Sequence, residues 1–120
     1  KMRPLIFSTA LPPISMAWSD FIFNKVLSMQ QQRQHLAEIS QYLQQAVIAK
    51  GFSSPSSSHI IPIILGESQA AIEKARYVQQ QGFYAMPVRP PTVPQNSSRL
   101  RISLTALVQK NELQQLVECL

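Results

Sequence analysis

A chain of 120 residues, 45% of them apolar, can bury one hydrophobic core but not two independent ones. Its eleven Lys and Arg outnumber its six Asp and Glu, yet Lys25, Arg33, Lys50, Lys74, Arg76 and Lys110 are dispersed, which argues against nucleic acid as a partner. The single cysteine, Cys119, excludes an internal disulfide and a Cys-x-x-Cys metal pair. No apolar run approaches the length of a membrane span, and Leu5-Ile6-Phe7 is far too short for a signal-peptide core, so a soluble, cytoplasmic protein is expected.

In chain order, the prolines at 4, 12 and 13 favour an extended strap around Ser8 and Thr9. From Ile14 to Lys50 no Pro or Gly intervenes, and Trp18, Ile22, Val26, Met29, Leu36, Ile39, Leu43 and Val47 recur mostly at three or four. This spacing predicts one long helix, bent or straight. It would reach roughly 50 Å, whereas a compact chain of this size has a radius of gyration of about 14 Å. The helix should therefore overhang its own domain, and Trp18, Phe21, Ile22 and Phe23 need cover from outside the chain.

Gly51 predicts the helix end, and Ser53-Ser54-Pro55-Ser56-Ser57-Ser58 reads as a low-complexity connector with nothing to bury. Ile60 to Leu65 is a β-branched run whose Pro62 cannot donate to a ladder, which predicts an edge strand. A helix follows from Glu67 to Gln81, with Gly82 just past its end, and Phe83 to Val88 resumes strand character. Leu100, Ile102 and Leu104 alternate with Arg101, Ser103 and Thr105 as in a half-buried strand, and a last helix runs from Val108 to Cys119.

A strand-helix-strand unit leaves room for a third, antiparallel strand between its parallel members. The expected fold is α+β: a small three-stranded, mainly antiparallel sheet with helices on one face, plus the long N-terminal helix. The expected division is a strap and long helix over residues 1–52, facing another domain or subunit, and a compact βαββα domain over 59–120.

No Gly-rich phosphate loop, Gly-x-Ser-x-Gly elbow or metal-ligand spacing is present, so neither a catalytic centre nor a metal site is legible. His35 and His59 read as structural, and Cys119 as a small apolar helix residue. A guanidinium can hold a carboxylate through two parallel hydrogen bonds. Arg101 points away from the Leu100 and Ile102 face, with Arg99 beside it, and is either a carboxylate ligand or an ordinary exposed strand arginine. Arg89 and Thr92 flank Pro90-Pro91 in a stiff loop that suits either a binding site or a plain connector. Ser8 and Thr9 could cap the helix entry or contact an anion.

Three ordered blocks carry a resemblance: Phe7-Ser8-Thr9-Ala10-Leu11-Pro12-Pro13, Arg89-Pro90-Pro91-Thr92-Val93-Pro94, and Arg99-Leu100-Arg101-Ile102-Ser103-Leu104-Thr105-Ala106. Together they resemble the α-oxoamine synthases, pyridoxal-phosphate-dependent acyltransferases of the aspartate-aminotransferase fold type. The Arg-Pro-Pro-Thr form is similar to the branch that makes 8-amino-7-oxononanoate more than to the aminoketobutyrate-ligase or aminolevulinate branches. The resemblance implies a cytoplasmic homodimer that condenses L-alanine with a pimeloyl thioester, with decarboxylation, in biotin synthesis. It implies that Arg101 binds the substrate carboxylate, that Thr92 contacts substrate, that Arg89 lies near the acyl group, and that Ser8 and Thr9 approach the cofactor phosphate.

The chain departs from that pattern in lacking the motif of the family's Schiff-base lysine, which lies upstream of the first block. It is therefore expected to be the C-terminal domain only, inactive alone and not binding pyridoxal phosphate without its N-terminal cofactor domain and a second subunit. Asn96 stands where a glycine is usual and Val108 where a histidine is common; asparagine tolerates left-handed geometry, so the turn should survive. A noncatalytic ligand-binding or dimerisation module, or another α-oxoamine synthase such as the 2-amino-3-ketobutyrate ligase, remains the alternative.

Overall fold

The computed structural model describes residues 10–120. Ser8 and Thr9, with most of the expected strap, lie outside the described residues. The compact units divide at Gln31/Gln32, and each is taken by itself.

Helix α1, Pro13–Leu27, starts at Pro13, whose fixed φ suits the first turn where an amide would have no helical acceptor. It contains no buried residue. Ile14, Trp18 and Phe23 are 77%, 62% and 65% exposed. The rings of Trp18 and Phe21 lie against each other, with centroids 5.7 Å apart.

The single long helix expected over Ile14–Lys50 is two helices, α1 and α2 (Gln30–Ala49). The break falls at Ser28 and Met29. Ser28 Oγ donates to the Lys25 carbonyl at 2.7 Å, and the Ser28 and Met29 amides bond three residues back instead of four. The hydroxyl bond adds to the three-residue backbone bonds at this point, where neither Gly nor Pro stands.

In the second unit Ile39, Leu43 and Val47 of α2 are buried at four-residue spacing. The compact unit thus takes in most of α2, where the sequence placed its start at residue 59. At the end of α2 Gly51 adopts φ +89, its amide meets the Ile48 carbonyl at 2.9 Å, and the Phe52 amide meets Val47 at 3.2 Å. Helix α3, Ser68–Gln80, ends the same way: Gly82 bonds to Gln79 at 3.0 Å and Phe83 to Val78 at 3.1 Å. In both, glycine takes the left-handed turn and the following phenylalanine folds back onto the core. Helix α4, Lys110–Glu118, opens with the Glu112 carboxylate accepting the Gln109 amide at 2.7 Å.

Strands β1 (Ile60–Gly66), β2 (Met86–Val88) and β3 (Ser98–Ser103) form an antiparallel sheet ordered β1-β3-β2. The third strand fills the slot between two parallel ones, and the α+β class with helices on one face holds. Ile61 pairs with Ile102 and Ile63 with Leu100, and these four point to α2, α3 and α4. The alternate positions, Pro62 opposite Arg101 and Ile64 opposite Arg99, belong to the other face.

Strand β1 is an edge, as its proline implied. The Ile64 amide donates outward to the Ser53 carbonyl at 3.0 Å, so Pro62, two residues away, would also direct its amide outward, where no strand of the sheet needs it. Leu65 is the extra residue of a bulge that leaves Gly66 at φ +83.

Leu43 is fully buried beneath the sheet. Leu43→Ala should lower the unfolding free energy by about 2–5 kcal/mol, whereas Phe23→Ala on α1 should cost far less in this chain; urea denaturation of the two variants checks both.

Candidate functional site

The solvent-side face of the sheet holds a cleft of about 400 Å³ lined by Ser56, Ser57, Ser58, Pro62, Val88, Arg99 and Arg101, with Pro55 and Ile60 at its margin. The strict alternation of β3 builds it. Leu100 and Ile102 are drawn under the helices, and Arg99 and Arg101 are thereby turned to the open face. Their Cα atoms stand about 6.6–6.8 Å apart at the usual strand rise. The lining includes no Asp or Glu, so the two guanidiniums present positive charge that an anion can neutralise.

The two arginines are held differently. Arg99 is half-buried, and its Nε–H donates to the Ser97 carbonyl at 3.0 Å. Arg101 is exposed, between Pro62 of β1 and Met86 of β2 in the register. That places its planar fork on a strand position flanked by apolar neighbours.

The opposite wall is the serine segment, and here the sequence reading needs correction. Ser53–Ser58 was expected to be a connector with nothing to bury, but Ser54 is 5% exposed. The Gln44 amide of α2 donates to the Ser54 and Ser56 carbonyls at 2.9 and 2.6 Å, and Ser56 Oγ donates to the Ile60 carbonyl at 2.6 Å. The Ser58 amide in turn donates to Ser56 Oγ at 3.2 Å. Serine repetition looks like a linker in composition; only the tertiary partner, Gln44, shows that it is fixed.

Arg89 and Thr92 are exposed on the loop that leaves β2, in a turn where the Thr92 amide donates to the Arg89 carbonyl at 3.0 Å. They do not line the Arg99 and Arg101 cleft. The loop starts one residue after Val88, which pairs with Arg99, so it rises from the cleft margin. At its far end Ser97 Oγ donates to the Pro94 carbonyl at 2.6 Å, and Asn96 takes φ +58, the left-handed geometry expected of it. Ser98 is fully buried, its Oγ 3.1 Å from Ser68 Oγ at the start of α3.

His35 uses its Nε2–H toward the Val108 carbonyl at 2.9 Å, a structural tether between α2 and the turn before α4. His59 lines a second depression of about 410 Å³ with Ser40, Gln41 and Gln44 of α2. Cys119 Sγ donates to the Gln115 carbonyl. Among the described residues no three of His, Cys, Asp and Glu come together as a metal site, and no helix is long and apolar enough to cross a membrane.

The profile of the family described as aminotransferase class I and II matches residues 2–120. The chain belongs to that family. Among curated aminotransferase-family relatives, a putative 8-amino-7-oxononanoate synthase of Pasteurella multocida is 50% identical over 100% of this chain and 31% of the relative. The 8-amino-7-oxononanoate synthase of Haemophilus ducreyi is 51% identical over 99% of the chain and 31% of its own length. The chain thus spans about a third of the length of these relatives. Among solved structures, Sphingomonas wittichii serine palmitoyltransferase superposes with a TM-score of 0.83 at 28% identity, over 98% of this chain and 30% of that one. The 8-amino-7-oxononanoate synthase of Francisella tularensis, at 23% identity and a TM-score of 0.80 over 95% of this chain and 33% of its own, shares the fold.

Because Gln44 alone bridges α2 to two carbonyls of the serine wall, Gln44→Ala should cost about 1–3 kcal/mol by leaving part-buried acceptors unpaired. Limited proteolysis should then cut first between Ser53 and His59; unchanged resistance there would show that the wall does not depend on this side chain.

Proposed function

We propose that this chain is the C-terminal part of a longer pyridoxal-phosphate-dependent acyltransferase that condenses L-alanine with a pimeloyl thioester, releasing carbon dioxide and forming 8-amino-7-oxononanoate for biotin synthesis. The observation that carries the reading is Arg101: an exposed guanidinium in a cleft free of acidic lining, on a chain about half identical to relatives named for that synthase. A planar fork matches one carboxylate, and two hydrogen bonds fix its plane as well as its position. Arg101 therefore holds the substrate carboxylate in this reading, Thr92 contacts substrate, and Arg89 stands near the acyl group from the stiff loop.

Pyridoxal phosphate, when bound, supplies an electron sink for the carbanion that forms at the amino-acid carbon. The cofactor needs a lysine for its attachment, and the cleft lining includes none. Its attachment is accordingly assigned to the part of the longer relatives that this chain does not match, with Ser8 and Thr9 reaching the phosphate of a neighbouring subunit. What this chain contributes is binding and orientation: holding the carboxylate fixes which bond to the reacting carbon lies in line for cleavage. The exposed apolar face of α1 is covered, in the same reading, by the remaining domain or the second subunit of a cytoplasmic homodimer.

The test is kinetic, in the complete protein. Arg101→Ala should raise the L-alanine KM by about tenfold to hundredfold, the value of a charge-assisted contact of about 1.5–3 kcal/mol, and Arg101→Lys should recover only part of it because an ammonium lacks the fork. An unchanged L-alanine KM in Arg101→Ala would sink the assignment. A wild-type protein that prefers L-serine to L-alanine would move the reading to another acyltransferase of the same kind.

A further inference from the structure

Two ends of one loop meet at a single residue of β3. The segment between β2 and β3 carries Arg89 and Thr92, begins directly after Val88 and ends directly before Ser98. Arg99 lies opposite Val88 in the β2–β3 register, so it stands at the neck of that loop. Its Nε–H closes on the Ser97 carbonyl at 3.0 Å, and Ser97 Oγ closes in turn on the Pro94 carbonyl at 2.6 Å. The buried Ser98 between them is anchored to Ser68 of α3. Arg99 also lines the same cleft as Arg101. Arg99 thus belongs to the strand that presents Arg101, stands opposite the residue where the Arg89 and Thr92 loop begins, and bonds to the end of that loop at Ser97.

We propose that Arg99 is a positioning residue that fixes the Arg89–Asn96 loop relative to Arg101, and so sets the fit of the acyl substrate. The proposal rests on the acyltransferase reading for its substrate, but its structural half does not. The loop has no strand partner along its length between Val88 and Ser98, so its placement comes from its own turns and from its neck. A lysine cannot replace Arg99 here: the hydrogen bond to Ser97 comes from Nε, inside the guanidinium, and a flexible ammonium has no N–H at that place. With the bond broken, the two substrate-contacting parts would no longer be held at a fixed separation, and misplacement on the scale of 1 Å can cost up to about a hundredfold in rate.

Two measurements on the complete protein test this, with Arg99→Gln, Arg99→Lys and Ser97→Ala. Hydrogen–deuterium exchange reads the Thr92 amide, with Leu43 in α2 as the internal reference. Both Arg99 variants should speed exchange at Thr92 by about tenfold while Leu43 is unchanged, and Ser97→Ala should act in the same direction but less. Kinetically, Arg99→Gln should raise the acyl-substrate KM by about tenfold with kcat altered less than threefold, and Arg99→Lys should not rescue it. Unchanged Thr92 exchange overturns the proposal whatever the activity. Exchange that quickens equally at Leu43 also overturns it, since Arg99 would then be supporting the whole unit. Faster loop exchange with an unchanged acyl KM overturns the claim on substrate fit. A wild-type protein without acyltransferase activity defeats the functional reading alone, and the exchange result still decides whether Arg99 fixes the loop.

Discussion

Everything positioned in this molecule depends on the pairing of β3 with strands on both sides. Once β3 is central, its two-residue alternation has a fixed meaning: Leu100 and Ile102 must go under the helices, and Arg99 and Arg101 must stay on the open face. A slip of one residue would bury two guanidiniums and expose two leucine-sized side chains, so the apolar face holds the register that presents the charges. The core and the cleft are two faces of one constraint.

The helices reinforce that register from one side. Both α2 and α3 end on a left-handed glycine followed by a phenylalanine that folds back on the core, Gly51-Phe52 and Gly82-Phe83. Each pair ends its helix and turns the chain away in the same step. No such device stands at Ser28, where the helix ends on backbone bonds three residues back and a hydroxyl shares the Lys25 carbonyl. The large apolar side chains of α1, before that break, stay mostly exposed, and Trp18 lies against Phe21.

Local signals were legible because their physics is local. The edge position of β1 followed from Pro62, the helix ends from Gly51 and Gly82, and the central placement of β3 from the alternation around Arg101 and from the crossover that leaves a slot beside it. The division of the long helix was not legible, since neither Gly nor Pro marks Ser28. The ordered serine wall was hidden for a different reason. Ser53–Ser58 has the composition of a linker, and what fixes it is the Gln44 amide of α2, bonded to the carbonyls of Ser54 and Ser56 in an arrangement that composition does not show. The arginines were legible down to the shared strand face of Arg99 and Arg101, but not the cleft those two line and Arg89 and Thr92 do not.

The outer border of β1 offers one more consequence. A strand at the rim of a sheet is a template on which a second chain can grow, because its unpaired amides and carbonyls repeat in register. Here that template is spoiled at three successive outward positions. Ile60 has its carbonyl occupied by Ser56, Pro62 has no amide to offer, and Ile64 is already paired with Ser53. The same serine segment that walls the cleft therefore blocks strand addition, and loosening it to reshape the cleft would also make the protein more prone to self-association into β-rich aggregates.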